Sequence, residues 1–295
     1  MKKLIFAILC SQVISFSAFA QNTYEKIKTK AVENLHAGDF IAAKSRLNLM
    51  EPYVKKSKKE EYKSLLDQLQ DSINNSYNKA NALREKKQYE LAIIEYQRLI
   101  GKDKEPLIKP LYAHIGYCYE MRYDKELAKN SYQLGIQHDE NLASLRMAWY
   151  IRKNKISVTT EEMIGFYERA SNYYAAMDSL GVEYARLGDM NQSYKWFKES
   201  MQDFSMYKMA SYLLDESIYD KLNTEYKNDD PIRLLTDSAD GGYAPAQYYL
   251  GLLYYFAYNG ERVSRDRVKG LEYMQKSANN GYERAKTMIE KIKHK

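Results

Sequence analysis

The sequence predicts an all-α fold assembled from antiparallel helix pairs, and three observations carry that expectation. Apolar residues recur at three- and four-residue spacing over nearly the whole length, as a helix with one buried face requires. Alternating apolar and polar runs that would mark strands are missing, and only 5 Pro and 13 Gly interrupt the pattern. Polar breaks and Gly-Asp turns arrive too often for long bundle helices, and the segments between them repeat one another.

Taken in order, residues 1–20 read as a secretory signal. Lys2 and Lys3 form the charged start, Leu4 to Phe16 the apolar run, and Ala18-Phe19-Ala20 the small-x-small cleavage site, so the mature chain is expected to begin at Gln21. The run contains Ser11, Gln12 and Ser15 and is shorter than the roughly 20 residues a membrane span needs. The expected location is therefore exported, periplasmic or secreted, with no transmembrane segment after cleavage. Cys10 follows bulky Leu9 after few apolar residues, which makes lipid attachment the weaker alternative. Cys118 is then the one remaining cysteine, and an exported chain without an internal disulfide must hold together through its core.

Residues 21–204 divide into helix pairs. The first has Ala31 and Leu35, the turn Ala37-Gly38-Asp39-Phe40, then Ala43 and Leu47, ending at Glu51-Pro52. An insertion at about 55–74 follows, read as part of one lengthened helix from about 58 to 86 with Leu65, Leu66, Leu69 and Ile73 on a shared face. Ala80, Leu83, Ala92, Tyr96 and Leu99 mark the second pair. Tyr112, Ile115-Gly116, Tyr119, a turn at 122–124, Ala128, Tyr132 and Gly135 mark the third. In that pair Gly116 lets two helices approach, Tyr112 and Tyr119 fill the gap to a neighbouring pair, and Ala128 is the close contact on the second helix. A looser fourth pair has Ala148 and Ile151, with Thr159 or Thr160 and Glu162 placed for a capping box. Gly181, Tyr184, Leu187-Gly188-Asp189, Ser193 and Phe197 make the fifth.

These marks resemble the tetratricopeptide (TPR) repeat, and the 36 residues from Ala92 to Ala128 lie near its roughly 34-residue period. The pattern weakens over 205–230, where Ala210 and Leu213-Leu214 suggest one helix and 221–229 a polar connector. Asp230-Pro231 opens a further helix running to Ala239. From there A-D-G-G-Y-A-P-A (239–246) returns 39 residues later as A-N-N-G-Y-E-R-A (278–285). Leu250-Gly251, Tyr254, Gly260, Val263, Asp266, Lys269-Gly270, Tyr273 and Lys276 lie between the copies, and in this order resemble a Sel1-like repeat, a longer-looped relative of the TPR. Residues 231–295 are thus Sel1-like repeats closed by a C-terminal capping helix bearing Lys286, Lys291, Lys293 and Lys295. The resemblance implies a right-handed α-solenoid, TPR-like and then Sel1-like.

Composition argues against several chemistries. Removing residues 1–20 takes Lys2 and Lys3 and lowers the net charge from +6 to +4, with no concentrated basic stripe for nucleic acid; Lys55-Lys56-Ser57-Lys58-Lys59 runs directly into Glu60-Glu61. His114 and Cys118 share a helix face, but two donors do not make a zinc site and no further ligand motif completes one. No Gly-x-Ser-x-Gly and no phosphate loop occurs, and Glu161-Glu162 and Asp229-Asp230 sit where carboxylates cap helices. The expectation is a protein that is not an enzyme and has no cofactor or metal.

Tyrosine is the compositional outlier, 29 residues against 8 Phe and 2 Trp. Repeat packing accounts for about a third, and others, with Trp149, are free to supply contact area with a polar tip. In TPR proteins the first helices of successive pairs line a concave groove that holds the ligand. Carried over, that resemblance implies Asn74, Tyr77, Asn81 and Arg84 on one pair, Tyr117 and Glu120 on the next, and Trp149 and Arg152 on the one after; Tyr248 and Tyr255 are the Sel1-like candidates. Asn74, Asn81 and Arg84 resemble the amide-and-cation sets that grip a peptide backbone and carboxylate. The implied function is an adaptor or scaffold of the cell envelope binding a protein or peptide; the alternative is a secreted repeat protein that binds or hydrolyses cell-wall glycan or peptide.

Overall fold

Helix accounts for 77% of the chain, and the described residues contain no strand, only an isolated bridge between Ile100 and Pro106. The computed structural model describes residues 2–101, 104–257 and 263–294, those of 2–18 as backbone alone. The helices divide into two units, Met1–Met147 and Ala148–Lys295. The first holds α1 (Lys2–His36), α2 (Phe40–Met50), α3 (Lys59–Glu85), α4 (Tyr89–Gln97), α5 (Tyr112–Met121) and α6 (Lys125–Gln137). Helix α7 (Asn141–Lys153) carries the chain from one unit to the other. The second holds α8 (Thr160–Arg169), α9 (Tyr174–Arg186), α10 (Met190–Ser200), α11 (Asp203–Leu214), the short α12 (Glu216–Tyr219), α13 (Pro231–Asp240), α14 (Ala244–Phe256), α15 (Arg267–Asn279) and α16 (Glu283–Lys293). The fold is all-α, a solenoid type built from helix pairs: α1 with α2, α3 with α4 and α5 with α6 in the first unit, α9 with α10, α11 with α13 and α14 with α15 in the second.

Turn chemistry sets the pairs. Gly38 (φ 73°) and Gly188 (φ 82°) take the left-handed conformation that ends a helix, and the aspartate after each caps the next one. Asp39 accepts from the Ala42 amide at 3.0 Å and Asp189 from the Gln192 amide at 2.9 Å. The α5–α6 turn places Tyr123 at φ 65° instead, a costlier choice, with its side chain 86% exposed. Thr159 and Glu162 form the anticipated capping box at α8.

Packing within a pair follows a small-against-large rule. A Cβ on Gly116 of α5 would stand 2.5 Å from Tyr132 Cε1 of α6. One on Gly251 of α14 would meet Met274 Cγ at 2.7 Å and the Gly270 carbonyl oxygen at 2.9 Å on α15. Ala31 with Leu47 and Ala80 with Tyr96 keep the sequence offset of Gly116 and Tyr132, and all four are buried. A fully buried side chain of this size contributes about 1.5–3 kcal/mol relative to exposure. The insertion forms the front of the 27-residue α3, which buries Leu65, Leu69 and Ile73; Leu66, expected on the same face, points away and is 37% exposed.

Two polar features brace the first unit. Buried Glu140, from the residue before α7, accepts from the amides of Leu111 (2.8 Å), Tyr112 (3.0 Å) and Ala113 (2.9 Å), filling the N-terminus of α5 with a carboxylate from another turn. At α1, Glu61 accepts from Tyr24 Oη at 3.1 Å and pairs with Lys28 and with Lys58 at 2.9 Å, which also meets Glu25 at 3.3 Å. Its two lysines hold the Glu61 carboxyl down at about 2, while burial and the adjoining Glu61 push the Tyr24 phenol up to about 12.

In the second unit the weak 205–230 stretch becomes α11, α12 and a single 3₁₀ turn at Tyr226–Asn228. Asn191 of α10 ties the connector down, donating to the Lys221 carbonyl at 3.0 Å and accepting from the Asn223 amide at 2.7 Å. Asp230 caps α13 through the Ile232 amide. Asp229, read as a second cap, instead accepts from Tyr194 Oη at 2.8 Å and pairs with Lys198 at 2.9 Å, because the connector turns it back toward α10. Gly260, one mark of the Sel1-like repeat, lies outside the described residues.

Candidate ligand-binding faces

In the first unit, α3 and α5 bring three of the named residues into one polar and aromatic cluster. The Arg84 guanidinium donates to His114 Nδ1, and the imidazole stacks on the Tyr96 ring at 5.7 Å. Tyr96 donates to Asn81 Oδ1 at 2.7 Å, and Tyr77 donates to the Pro110 carbonyl at 3.2 Å while its ring lies 5.9 Å from His114. Beside them Tyr117 meets Tyr89 edge-on at 6.3 Å and carries the Arg146 guanidinium 4.6 Å above its ring. Glu120 accepts from Tyr132 Oη at 2.8 Å. Asn74 stands two turns away from Asn81 along α3 and accepts from Gln70 at 3.0 Å.

Electrostatics follow from that packing. Burial first, then the charges of Arg84 and Arg146, push the His114 imidazole down to about 3, so it is neutral at neutral pH and accepts from Arg84. Arg84 thus has an imidazole as its partner and no carboxylate among the described residues. Burial also pushes the Cys118 thiol up to about 11, against a small opposing pull from Arg84, which leaves it an inert core thiol. His114 and Cys118 gain no further donor: no group of three or more His, Cys, Asp or Glu able to hold a metal occurs among the described residues.

In the second unit the named residues stand in separate settings. Arg152 pairs with Glu183, whose side chain is 1% exposed and which Arg186 also reaches at 3.1 Å, and it lies 5.5 Å from the Tyr167 ring. The positive charge of Arg152 is thereby matched inside the protein. Trp149, one turn earlier on α7, is 38% exposed. Tyr248 packs against Tyr282 at 5.4 Å, and Tyr255 against Phe256 at 4.8 Å with the Arg267 guanidinium 5.7 Å from its ring. Tyr255 also lines a mostly apolar cleft of about 500 Å³ with Val268, Leu271 and Ile292.

Sequence reasoning missed His114 as the partner of Arg84 and Arg146 as the cation over Tyr117. Arg146 was within reach, since it lies one helical turn before Trp149. Nothing local couples Arg84 to a histidine thirty residues on, because that contact exists only once α3 and α5 are packed.

This geometry, small-against-large helix pairs closed by Gly-Asp and Gly-Tyr turns, defines a helical repeat protein. Neither protein-family models nor curated protein sequences match the chain. Solved structures do. A Sel1 repeat protein from Oxalobacter formigenes matches with TM-score 0.58 and 18% identity over 71% of this chain and 84% of that one. The protective antigen c5321 of uropathogenic Escherichia coli strains, which displays the Sel1-like repeat fold, matches with TM-score 0.58 and 17% identity over 89% of this chain. The match spans 57% of the length of c5321. The chain has the Sel1-like repeat fold, a helical scaffold.

Proposed function

We propose that this protein is a non-catalytic adaptor or scaffold of the cell envelope that takes a peptide segment of a partner protein on the α3–α5 face of its first unit. The observation that carries the reading is Arg84: a guanidinium held in place by a neutral imidazole, in one cluster with Asn81 and Tyr77, with no carboxylate of its own among the described residues. A cation positioned but not neutralised is matched by a carboxylate or a backbone carbonyl of a ligand, and the nearby rings add contact area. Asn74, further along α3, and Glu120 on α5 extend the face; Trp149, Arg152, Tyr248 and Tyr255 are the corresponding candidates in the second unit. Repeat surfaces are binding surfaces by construction, because each pair presents one helix face in series.

Export through a signal cleaved after Ala20 belongs to the same proposal, and its support is the Lys2-Lys3 start, the apolar run and the Ala18-Phe19-Ala20 site. No helix among the described residues is long and apolar enough to cross a membrane.

The test is capture of the partner from native envelope extract by tagged protein, with the bound species identified by mass spectrometry. Arg84→Ala is expected to lower recovery at least tenfold while far-ultraviolet circular dichroism stays unchanged. Trp149→Ala tests the second unit separately. Undiminished recovery with Arg84→Ala would remove the α3–α5 face from consideration. Mass analysis of the envelope-derived chain checks cleavage: an N-terminus other than Gln21 refutes the assigned site.

A further inference from the structure

A different concentration of tyrosine lies in the second unit, on α11, α14 and α16. Tyr207 belongs to α11 and Tyr248 and Tyr249 to α14, while Tyr243 and Tyr282 stand at the N-caps of α14 and α16. Tyr207 lies 5.4 Å from Tyr243 and 6.5 Å from Tyr249, and Tyr248 lies 5.4 Å from Tyr282. All five rings are half-buried: packing holds one side of each and leaves the rest to solvent. A cleft of about 260 Å³ opens beside Tyr248, lined by Glu283, Arg284, Thr287, Met288 and Lys291 of α16.

The charges on this face are unbalanced. Arg284 is exposed and has no carboxylate partner among the described residues, yet its charge reaches the phenols of Tyr207 and Tyr248, opposing the rise that burial causes. Lys208 of α11 turns elsewhere, its ammonium 5.5 Å from the ring of Tyr212, which packs on Ser193 and Phe197 of α10. The acids near the rings each have a partner: Glu283 pairs with Lys286 at 2.6 Å, Asp215 caps α12 through Ser217, and Asp178, whose charge reaches Tyr243, accepts from Ser200 at 2.6 Å and from Ser205. The surfaces of α11, α14 and α16 offer no exposed carboxamide. Gln247, the one Asn or Gln on these helices, is buried and bonded to the Ala239 carbonyl and to Asn280.

We propose that this tyrosine-lined face binds an acidic polysaccharide, with pyranose rings stacked on the tyrosines and their carboxylates paired with Arg284 and Lys291 at the cleft. Fixed aromatic rings with hydroxyl tips match the apolar face and hydroxyl rim of a sugar, and a guanidinium matches its carboxylate. A peptide main chain is gripped best by carboxamides, which both donate and accept, and these three helices expose none. The proposal concerns another ligand and another face than the α3–α5 reading, and does not rest on it.

Isothermal titration of the full chain with polygalacturonate tests it, alongside the fully methyl-esterified polymer, which lacks the carboxylates, and polyglutamate of equal charge. Polygalacturonate is expected to bind at least tenfold more tightly than either control. Arg284→Ala and Tyr248→Ala should each weaken it at least fivefold without moving the thermal midpoint, whereas Arg84→Ala should leave it unchanged. Since Arg284 is exposed, its variant keeps the test informative if Tyr248→Ala proves unstable. Equal binding of polyglutamate, no binding of polygalacturonate, or indifference to Arg284→Ala would each overturn the assignment.

Discussion

His114 shows how much a single packed residue can decide. Its imidazole in the folded protein titrates near 3, below the ordinary 6.5, so between those values the unfolded chain binds a proton that the folded chain refuses. The stability this group supports is complete above pH 6.5 and declines as pH falls toward 3. At pH 5 the loss relative to pH 7 should be about 2 kcal/mol. His114→Gln keeps an acceptor for Arg84 but removes the titration, so urea unfolding of the variant should show a flatter change between pH 7 and 5 than the parent. Gly251 gives a steric counterpart: Gly251→Leu drives atoms into Met274 and the Gly270 carbonyl, and should cost about 1–3 kcal/mol or more, read as a lower thermal midpoint. The glycine's role was legible in the sequence because small residues recur at fixed offsets from large ones. The Arg84–His114 contact was not, since long-range side-chain pairing leaves no periodic trace.

At the scale of elements, caps were read well where they are local. Asp39, Asp189 and the Thr159–Glu162 box act within three residues, and the turn grammar of the sequence displays them. The length of α3 was legible too, from apolar spacing alone, although Leu66 turned outward because α3 buries a narrower stripe than its leucines suggested. Asp229 was misread as a cap because its partners, Tyr194 and Lys198, sit more than thirty residues away. The Glu61 cluster yields an acid-side prediction. Its carboxyl titrates near 2 rather than 4.5, so the support it lends to holding α1 on α3 is present above pH 4.5 and is lost as pH falls toward 2. Glu61→Gln should loosen the N-terminal half of α1 from α3 at neutral pH while α1 stays paired with α2, seen as modestly faster amide exchange around Tyr24 and Lys28 with exchange in α14 and α15 unchanged.

For the whole molecule, repetition explains both what the sequence reveals and what it hides. Helix pairing and the Sel1-like fold follow from marks that recur, so they are visible without coordinates. Binding faces depend on the residues that differ from one repeat to the next, and these carry no periodic signal. The ten candidates named from the repeat resemblance accordingly fall into different circumstances: Arg84 and Asn81 share one cluster, whereas Arg152 is absorbed by buried Glu183. Because the closest packing lies within each helix pair and adjacent pairs meet more lightly, unfolding should proceed by segments. Hydrogen exchange resolved by peptide is expected to report more than one opening free energy along the chain, and a single uniform value would contradict that.

Glu140 gives the growing chain a direction. The first turn of α5 has its amides satisfied by a carboxylate that follows it by nearly thirty residues. During synthesis α5 thus emerges with an open end and is closed only when residue 140 arrives. A truncated chain stopping at 138 should show rapid amide exchange at Leu111 to Ala113, and one extended to 147 should protect them. The α5–α6 pair is then locked by the residue that opens α7, a step that closes only after the pair itself has been made.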